Sequence, residues 1–347
     1  MKAFINKIFF ILSIGVLFAA CETDIEFKGD ETTAMMVVNS IISPDSVIKV
    51  QITKSNFFLS NKTDFDKIDN ATVTIFVNDA LQEVLTNIGE GIYIGSYIPE
   101  LNDVIKITAK NDDLGEVNST VVIHSPISIL SIDTISKNIE TLPSLTYGMD
   151  MNDADTFGIS YNRDLHFKIQ FQDEPKIKNY YRIVLKEKRS YDDSRSVEMN
   201  SYFSSEDVVF GKVSENDIFD SGYSSNTSFE FTDEIFDGKN YELSLFKSYH
   251  NFIYKDNPKS DFDDENPTVI KSELFVELQS ISESFYYYLK TKSASGGGGL
   301  DLFTEPVQIY SNINGGIGIF GSYSRSTYMI EIPLSYQGDY NYYYNEY

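Results

Sequence analysis

Apolar and polar residues alternate along this chain in short runs, broken by clusters of Asn, Asp, Gly and Ser. In Val47 to Lys54, Ile48, Val50 and Ile52 alternate with Lys49, Gln51 and Thr53, the period of a strand buried on one face. Val73, Ile75 and Val77 repeat the pattern in Ala71 to Val77, as do Ile105, Ile107 and Ala109 in Val104 to Lys110. Met36 to Asn39, Leu81 to Leu85, Ile92 to Tyr97 and Val117 to Ile123 complete the set. Turn residues separate these runs at Ser43-Pro44-Asp45-Ser46, Asn78-Asp79, Gly89-Glu90-Gly91 and Asn111-Asp112-Asp113. Seven short runs within about ninety residues predict a β-sandwich over residues 35–125, with Asn56 to Asn70 as a longer loop.

Residues 126–334 predict a second sandwich. Pro126 to Asn138 reads as the linker and Thr141 to Asn162 as irregular chain. Leu165, Phe167, Ile169 and Phe171 face inward from one strand, which is expected to form a hairpin with Tyr180 to Glu187. Residues 189–227 read as long loops. Phe229-Glu230-Phe231, a turn at Asp237-Gly238, Tyr241 to Phe246 and Lys271 to Leu278 complete a fibronectin-like pattern. One helix is expected near 281–293. Ser280 and Glu283 have capping-box spacing, and Ile281, Phe285, Tyr288 and Leu289 would share a buried face. Gly296 to Gly299 would end it as a flexible loop. The expected fold is mainly β: two tandem Ig-like or fibronectin-like sandwiches with one short C-terminal helix. Within the first, Ala71 to Ile123 resembles the transthyretin-like or carboxypeptidase-regulatory type, which implies structural or docking work.

Gly316-x-Gly318-x-x-Gly321 matches the dinucleotide-binding fingerprint by letter. That fingerprint needs a helix after it so that phosphate meets the helix N-terminus. Here Tyr323 to Ile332 follows and reads as strand, so the glycines are assigned to tight turns and close backbone packing.

The N-terminus is organised differently. Lys2 and Lys7 precede an apolar run from Ile8 to Phe18, shorter than the roughly 20 residues of a membrane-spanning helix. Ala19 and Ala20 then lead to Cys21, the single cysteine. This resembles the lipobox of bacterial lipoproteins and predicts a signal peptide over 1–20 and lipid on the Cys21 thiol. Each buried methylene adds roughly 0.8 kcal/mol, so several acyl chains hold a protein permanently. Residues 21–34 form an acidic tether. Its Glu22, Asp24 and Glu26 resemble the signal that sends Bacteroidota lipoproteins to the outer face of the outer membrane.

Charge narrows the partners. The chain carries 52 acids against 28 Lys and Arg, a net charge of −24, and loss of Lys2 and Lys7 with the leader makes it −26. Such a surface argues against nucleic acid and against lying flat on anionic lipid. His124, His166 and His250 have no ligand spacing for zinc, and no Gly-x-Ser-x-Gly elbow occurs. Two acidic groups could hold calcium: Asp150, Asn152, Asp153 and Asp155, and Asp261, Asp263, Asp264, Glu265 and Asn266. Neither follows an EF-hand loop, and a solvated acidic loop is the simpler reading. The segment 335–347 carries Tyr336, Tyr340, Tyr342, Tyr343, Tyr344 and Tyr347, a tail that is either disordered or ordered by a partner.

One run is more specific than the rest: Pro306-Val307, Ser311-Asn312-Ile313, and Gly316-x-Gly318-Ile319-Phe320. With the lipobox, the Ig-like first half and the helix near Ser280, it resembles a Bacteroidota lipoprotein family known only as the domain of unknown function 4249. The resemblance covers nearly the whole mature chain. It implies a lipid-anchored, outward-facing accessory protein at a TonB-dependent outer-membrane receptor, non-enzymatic, that captures or gates a ligand or braces the barrel. The same features fit a structural subunit of an outer-membrane assembly or export complex. No catalytic residue is implied.

Overall fold

The computed structural model describes residues 33–56, 64–140, 158–210, 226–254, 269–295 and 308–333. The strands of the first half are β1 (Met36–Ile42), β2 (Lys49–Lys54), β3 (Thr72–Val77), β4 (Ala80–Val84), β5 (Thr86–Asn87), β6 (Ile92–Ile94), β7 (Val104–Asn111) and β8 (Gly115–Val122). The second half contributes β9 (Ile129–Glu140), β10 (Gly158–Gln172), β11 (Tyr180–Tyr191), β12 (Ser196–Asn200), β13 (Ser228–Thr232), β14 (Asn240–Tyr254), β15 (Val269–Ile281), helix α1 (Glu283–Ser295) and β16 (Ile317–Ile332). The chain is mainly β, with several sheets arranged as β-sandwiches and α1 the single α-helix among the described residues.

A nine-stranded sheet runs β12-β11-β15-β16-β1-β2-β6-β5, with β13 beside β12 along the same side of β11. Two smaller sheets complete the sandwiches: β4-β3-β7-β8 in the first half and β14-β10-β9 in the second. The alternation read from sequence decides which faces meet. Val38, Ile52, Val73, Ile75, Ile105 and Ile107 fill the first core. Phe167, Ile169, Phe171, Ile183, Leu185, Val276 and Leu278 fill the second. Rings from Phe171, Tyr181, Phe231 and Phe236 pack there with centroids 5.4–6.3 Å apart, Tyr181 stacked on Phe236 and the other pairs tilted or edge-on.

The two cores are joined by β16, and the expected division after residue 125 is crossed by it. From Ile317 to Ser322 this strand pairs parallel with β1, and from Tyr323 to Ile332 antiparallel with β15. Phe320 and Ile313 therefore belong to the first core and Ile332 to the second. Between them, Ser322 and Ser324 donate to the carbonyls of Val122 and His124, each at 2.6 Å, and Ser326 accepts from the Ile129 N–H at 3.3 Å. Where the chain leaves β8 and enters β9 the ladder ends: Ile123 exchanges backbone bonds with Asn102 and Asp103, and these short hydroxyl side chains serve the neighbouring Val122, His124 and Ile129 groups.

Three expectations are corrected. Most of the expected linker is strand: β9 pairs with β10 from Ile129 to Glu140. β10 and β11 are not a hairpin. β10 pairs with β14 and β9, while β11 pairs with β15, β12 and β13, so the two apolar faces meet across the core instead of side by side. Finally, Ser280 and Ile281 end β15, and the helix is capped two residues later by Ser282, whose hydroxyl accepts from the Phe285 N–H at 3.3 Å. Of the expected helix face, Phe285 is buried while Tyr288 and Leu289 are half-buried beside it.

Candidate functional site

The expected anchor and signal residues Cys21, Glu22, Asp24 and Glu26 lie outside the described residues, as do the tail and both expected acidic groups, including Asp261, Asp263, Asp264 and Glu265. The glycine run is described. It holds backbones together: a Cβ on Gly316 would lie 2.6 Å from the Met36 carbonyl oxygen and one on Gly318 2.0 Å from that of Val38. A strand follows the run, as the sequence reading requires, and no phosphate site is formed by a helix there. His166 lies on the outer face of its sheet, stacked on Phe246 with centroids 5.4 Å apart. Burial pulls both His124 and His166 below the ordinary imidazole range.

A carboxylate group that the sequence reading missed closes one end of the second sandwich. Asp173 follows β10, Asp233 follows β13, and Asp237 sits in the turn before β14. One oxygen from each lies within 4.8 Å of the others. Asp173 is 2% exposed and Asp233 3%. Asp173 accepts from the Tyr181 hydroxyl, from the Gly238 N–H at 2.9 Å and from the Asn179 side-chain amide at 3.2 Å. Asp233 accepts from the Asn179 N–H at 2.8 Å, and Asp237 from the Lys176 N–H at 2.8 Å. The carboxylates thus clamp the two connections that close this end of the core. The same oxygens have the hardness and spacing that a calcium-sized cation accepts. Their separation by sixty residues hides them in sequence; the Asp237-Gly238 turn is the single local signal.

Burial, with the negative charges of Asp173 and Asp237 beside it, raises the Asp233 carboxyl above the ordinary range. A raised acid favours the fold below its ordinary pKa, and that contribution is lost as pH rises through the raised value. In chelator, Asp233→Asn should therefore melt about 1–3 °C above wild type at pH 7, with the difference vanishing in acid. Thermal scans at the two pH values check this. A melting point lowered at pH 7 would mean that the negative charge is needed there.

Beside this group lies an aromatic shelf on α1. Tyr180 donates to Glu283 at 2.5 Å and packs against Tyr286 and Tyr287, with centroids 5.0 and 6.1 Å away; Tyr287 continues to Tyr310 at 5.7 Å. Lys178 lies over Tyr180 and Lys290 over Tyr286. Tyr287 is 37% exposed, and Tyr286 and Tyr310 are half-buried, so the shelf presents aromatic surface to solvent. Surfaces of this kind give large contact area at low conformational cost.

No helix of the described residues is long and apolar enough to cross a membrane. No curated protein matches the chain. Among solved structures, one described as a membrane-anchored protein from Corynebacterium diphtheriae is similar, at 10% identity and a TM-score of 0.19. That match covers 74% of this chain and 56% of the other, so the chain spans little more than half of that protein's length. A family model matches residues 22–329, from just after Cys21 to near the end of β16. The chain belongs to that family, the domain of unknown function DUF4249.

Proposed function

We propose that this is a lipid-anchored, non-enzymatic accessory protein of an outer-membrane β-barrel of the TonB-dependent receptor type, held on the outward face of that membrane. The observation that carries the reading is the leader ending at Cys21, followed by Glu22, Asp24 and Glu26. The first described strand begins at Met36, about fifteen residues beyond the cysteine in sequence. The receptor as partner follows from the resemblance carried by the run from Pro306 to Phe320. The shelf supports a docking role, because the exposed Tyr287 and the half-buried Tyr286 and Tyr310, backed by the buried Tyr180, make a strong contact surface. The clamp formed by Asp173, Asp233 and Asp237 is read as architectural in this scheme, with calcium as an optional ligand.

The test is purification of the tagged chain from detergent-solubilised outer membranes. A TonB-dependent barrel should co-purify, and Cys21→Ala should move the chain out of the membrane fraction. Recovery of an assembly or export barrel instead would favour a structural subunit of that machinery. A mature protein with an unmodified Cys21 sulfur would overturn the anchored reading.

A further inference from the structure

Most sheet edges in this fold are blunted. β5 has two residues, β12 has five, and β4 has five with a register shift against β3. β14 is bridged at Phe246 by Ser204, and β8 at Asn118 by Asn314. β9 differs. It is twelve residues long, contains neither proline nor glycine, and among the described residues is paired on one side, by β10. Alternate N–H and C=O groups on its other side face outward, a template for a further strand. Beside that free edge Leu130 is 58% and Ile135 49% exposed.

The side chains along this edge select one occupant. Asp133, Ile135 and Lys137 share the outer face, opposite Lys168, His166 and Asp164 of β10. Two copies of β9 running antiparallel with Ile135 on a two-fold axis would set each Asp133 directly opposite Lys137 of the second copy. The charge row Asp164, Lys137, Asp133, Lys168 would then alternate in sign across the junction. Ile135 would meet its own counterpart, extending the apolar row formed by Phe246 and His166. A two-fold interface has to be self-complementary, and opposite charges in cross-strand pairs favour one register. We propose that β9 is a homodimerisation edge, pairing antiparallel with β9 of a second copy about Ile135, to form a continuous sheet β14-β10-β9-β9-β10-β14.

The test uses the mature chain carrying Cys21→Ser, which removes lipid and thiol links. Sedimentation should show a concentration-dependent dimer. Asp133→Lys alone, or Lys137→Asp alone, places two like-charge pairs across the axis and should weaken the dimer about tenfold or more. Asp133→Lys with Lys137→Asp should restore it. Each change also sets a like charge opposite Lys168 or Asp164 of β10 within the chain, so melting points should fall slightly, and most in the double variant, which carries both of those intrachain costs while restoring the pairs across the axis. Independently, Ile135→Cys should give an interchain disulfide on mild oxidation, since directly opposed strand residues lie within disulfide reach. Ile177→Cys, at a similarly exposed site, should not. A monomer at every concentration, a dimer indifferent to either single charge change, or failure of the double change to restore it would each overturn the proposal.

Discussion

Gly318→Ala should unfold the joint between the two sandwiches and lower the melting temperature by on the order of 10 °C, corresponding to roughly 3–5 kcal/mol. Two costs combine at this position. Gly318 has φ +119°, where an L side chain is strained. The added Cβ would also lie 2.0 Å from the Val38 carbonyl oxygen and 2.9 Å from its nitrogen. Backbone atoms cannot swing aside as a flexible side chain can, so β1 and β16 must separate. That separation withdraws Phe320 from the first core, where it is fully buried. Gly115→Ala is the control. It has a similar left-handed backbone, φ +82°, but nothing lies within 4 Å of the new Cβ, so strain alone should cost about 1 kcal/mol. Denaturant midpoints measured side by side separate the two effects. Equal losses would mean that β1 and β16 do not approach as closely as described.

The second large effect is expected at Glu187, which is 1% exposed at the end of the second core. Its carboxylate accepts from Arg189 at 2.8 Å and from the Ser272 hydroxyl at 3.0 Å, and Lys247 lies 3.5 Å away. Burial pushes the Glu187 carboxyl up, but the Arg189 hydrogen bond and the Lys247 and Arg189 charges outweigh it and hold it below the ordinary range. Lys247 is itself pulled down by burial, against the attraction of Glu187. Glu187→Ala leaves the nearly buried Lys247 facing a cavity without its counter-charge, with Arg189 beside it partly open to solvent, and should cost about 3 kcal/mol. Glu187→Gln keeps the shape and can still accept from Ser272, and should cost less. Because the folded pKa is lowered, this carboxylate stabilises the fold above its ordinary pKa and stops doing so as pH falls through the lowered value. The gap between wild type and Glu187→Gln should therefore be widest near neutrality and close in acid. Chemical denaturation across that range measures it, and a gap that widened in acid would contradict the assignment.

Strands covered on one face were legible from alternation, because Val73, Ile75, Ile105 and Ile107 all point to a single core. Pairing was less so. β10 and β11 are adjacent in sequence and both apolar on one face, a pattern that suits neighbours in a sheet and opponents across a core equally well. β9 was obscured by Pro126 just before it and by its weak alternation, since an edge strand needs less apolar cover. The helix start was displaced because Ser280 has other work: its hydroxyl accepts from the Ile127 N–H at 3.3 Å, while Ser282 caps the helix. Glu187, Arg189 and Lys247 look like surface charges in sequence, and only the packing of β11, β14 and β15 brings them together. The glycine run was readable as a place of close approach. What it approaches, strand β1, lies too far away in sequence for any local pattern to reveal.

That distance sets the order in which the molecule can be made. Strand β16 supplies Phe320 to a core whose other strands are synthesised some two hundred residues earlier. During synthesis the early half must wait without Phe320, the apolar residues that it covers left exposed. Contacts this remote in sequence form slowly, and a chain interrupted before β16 cannot complete either half. The parallel lock between β1 and β16 therefore makes complete synthesis a condition of folding, so a fragment released early offers exposed strands to proteases.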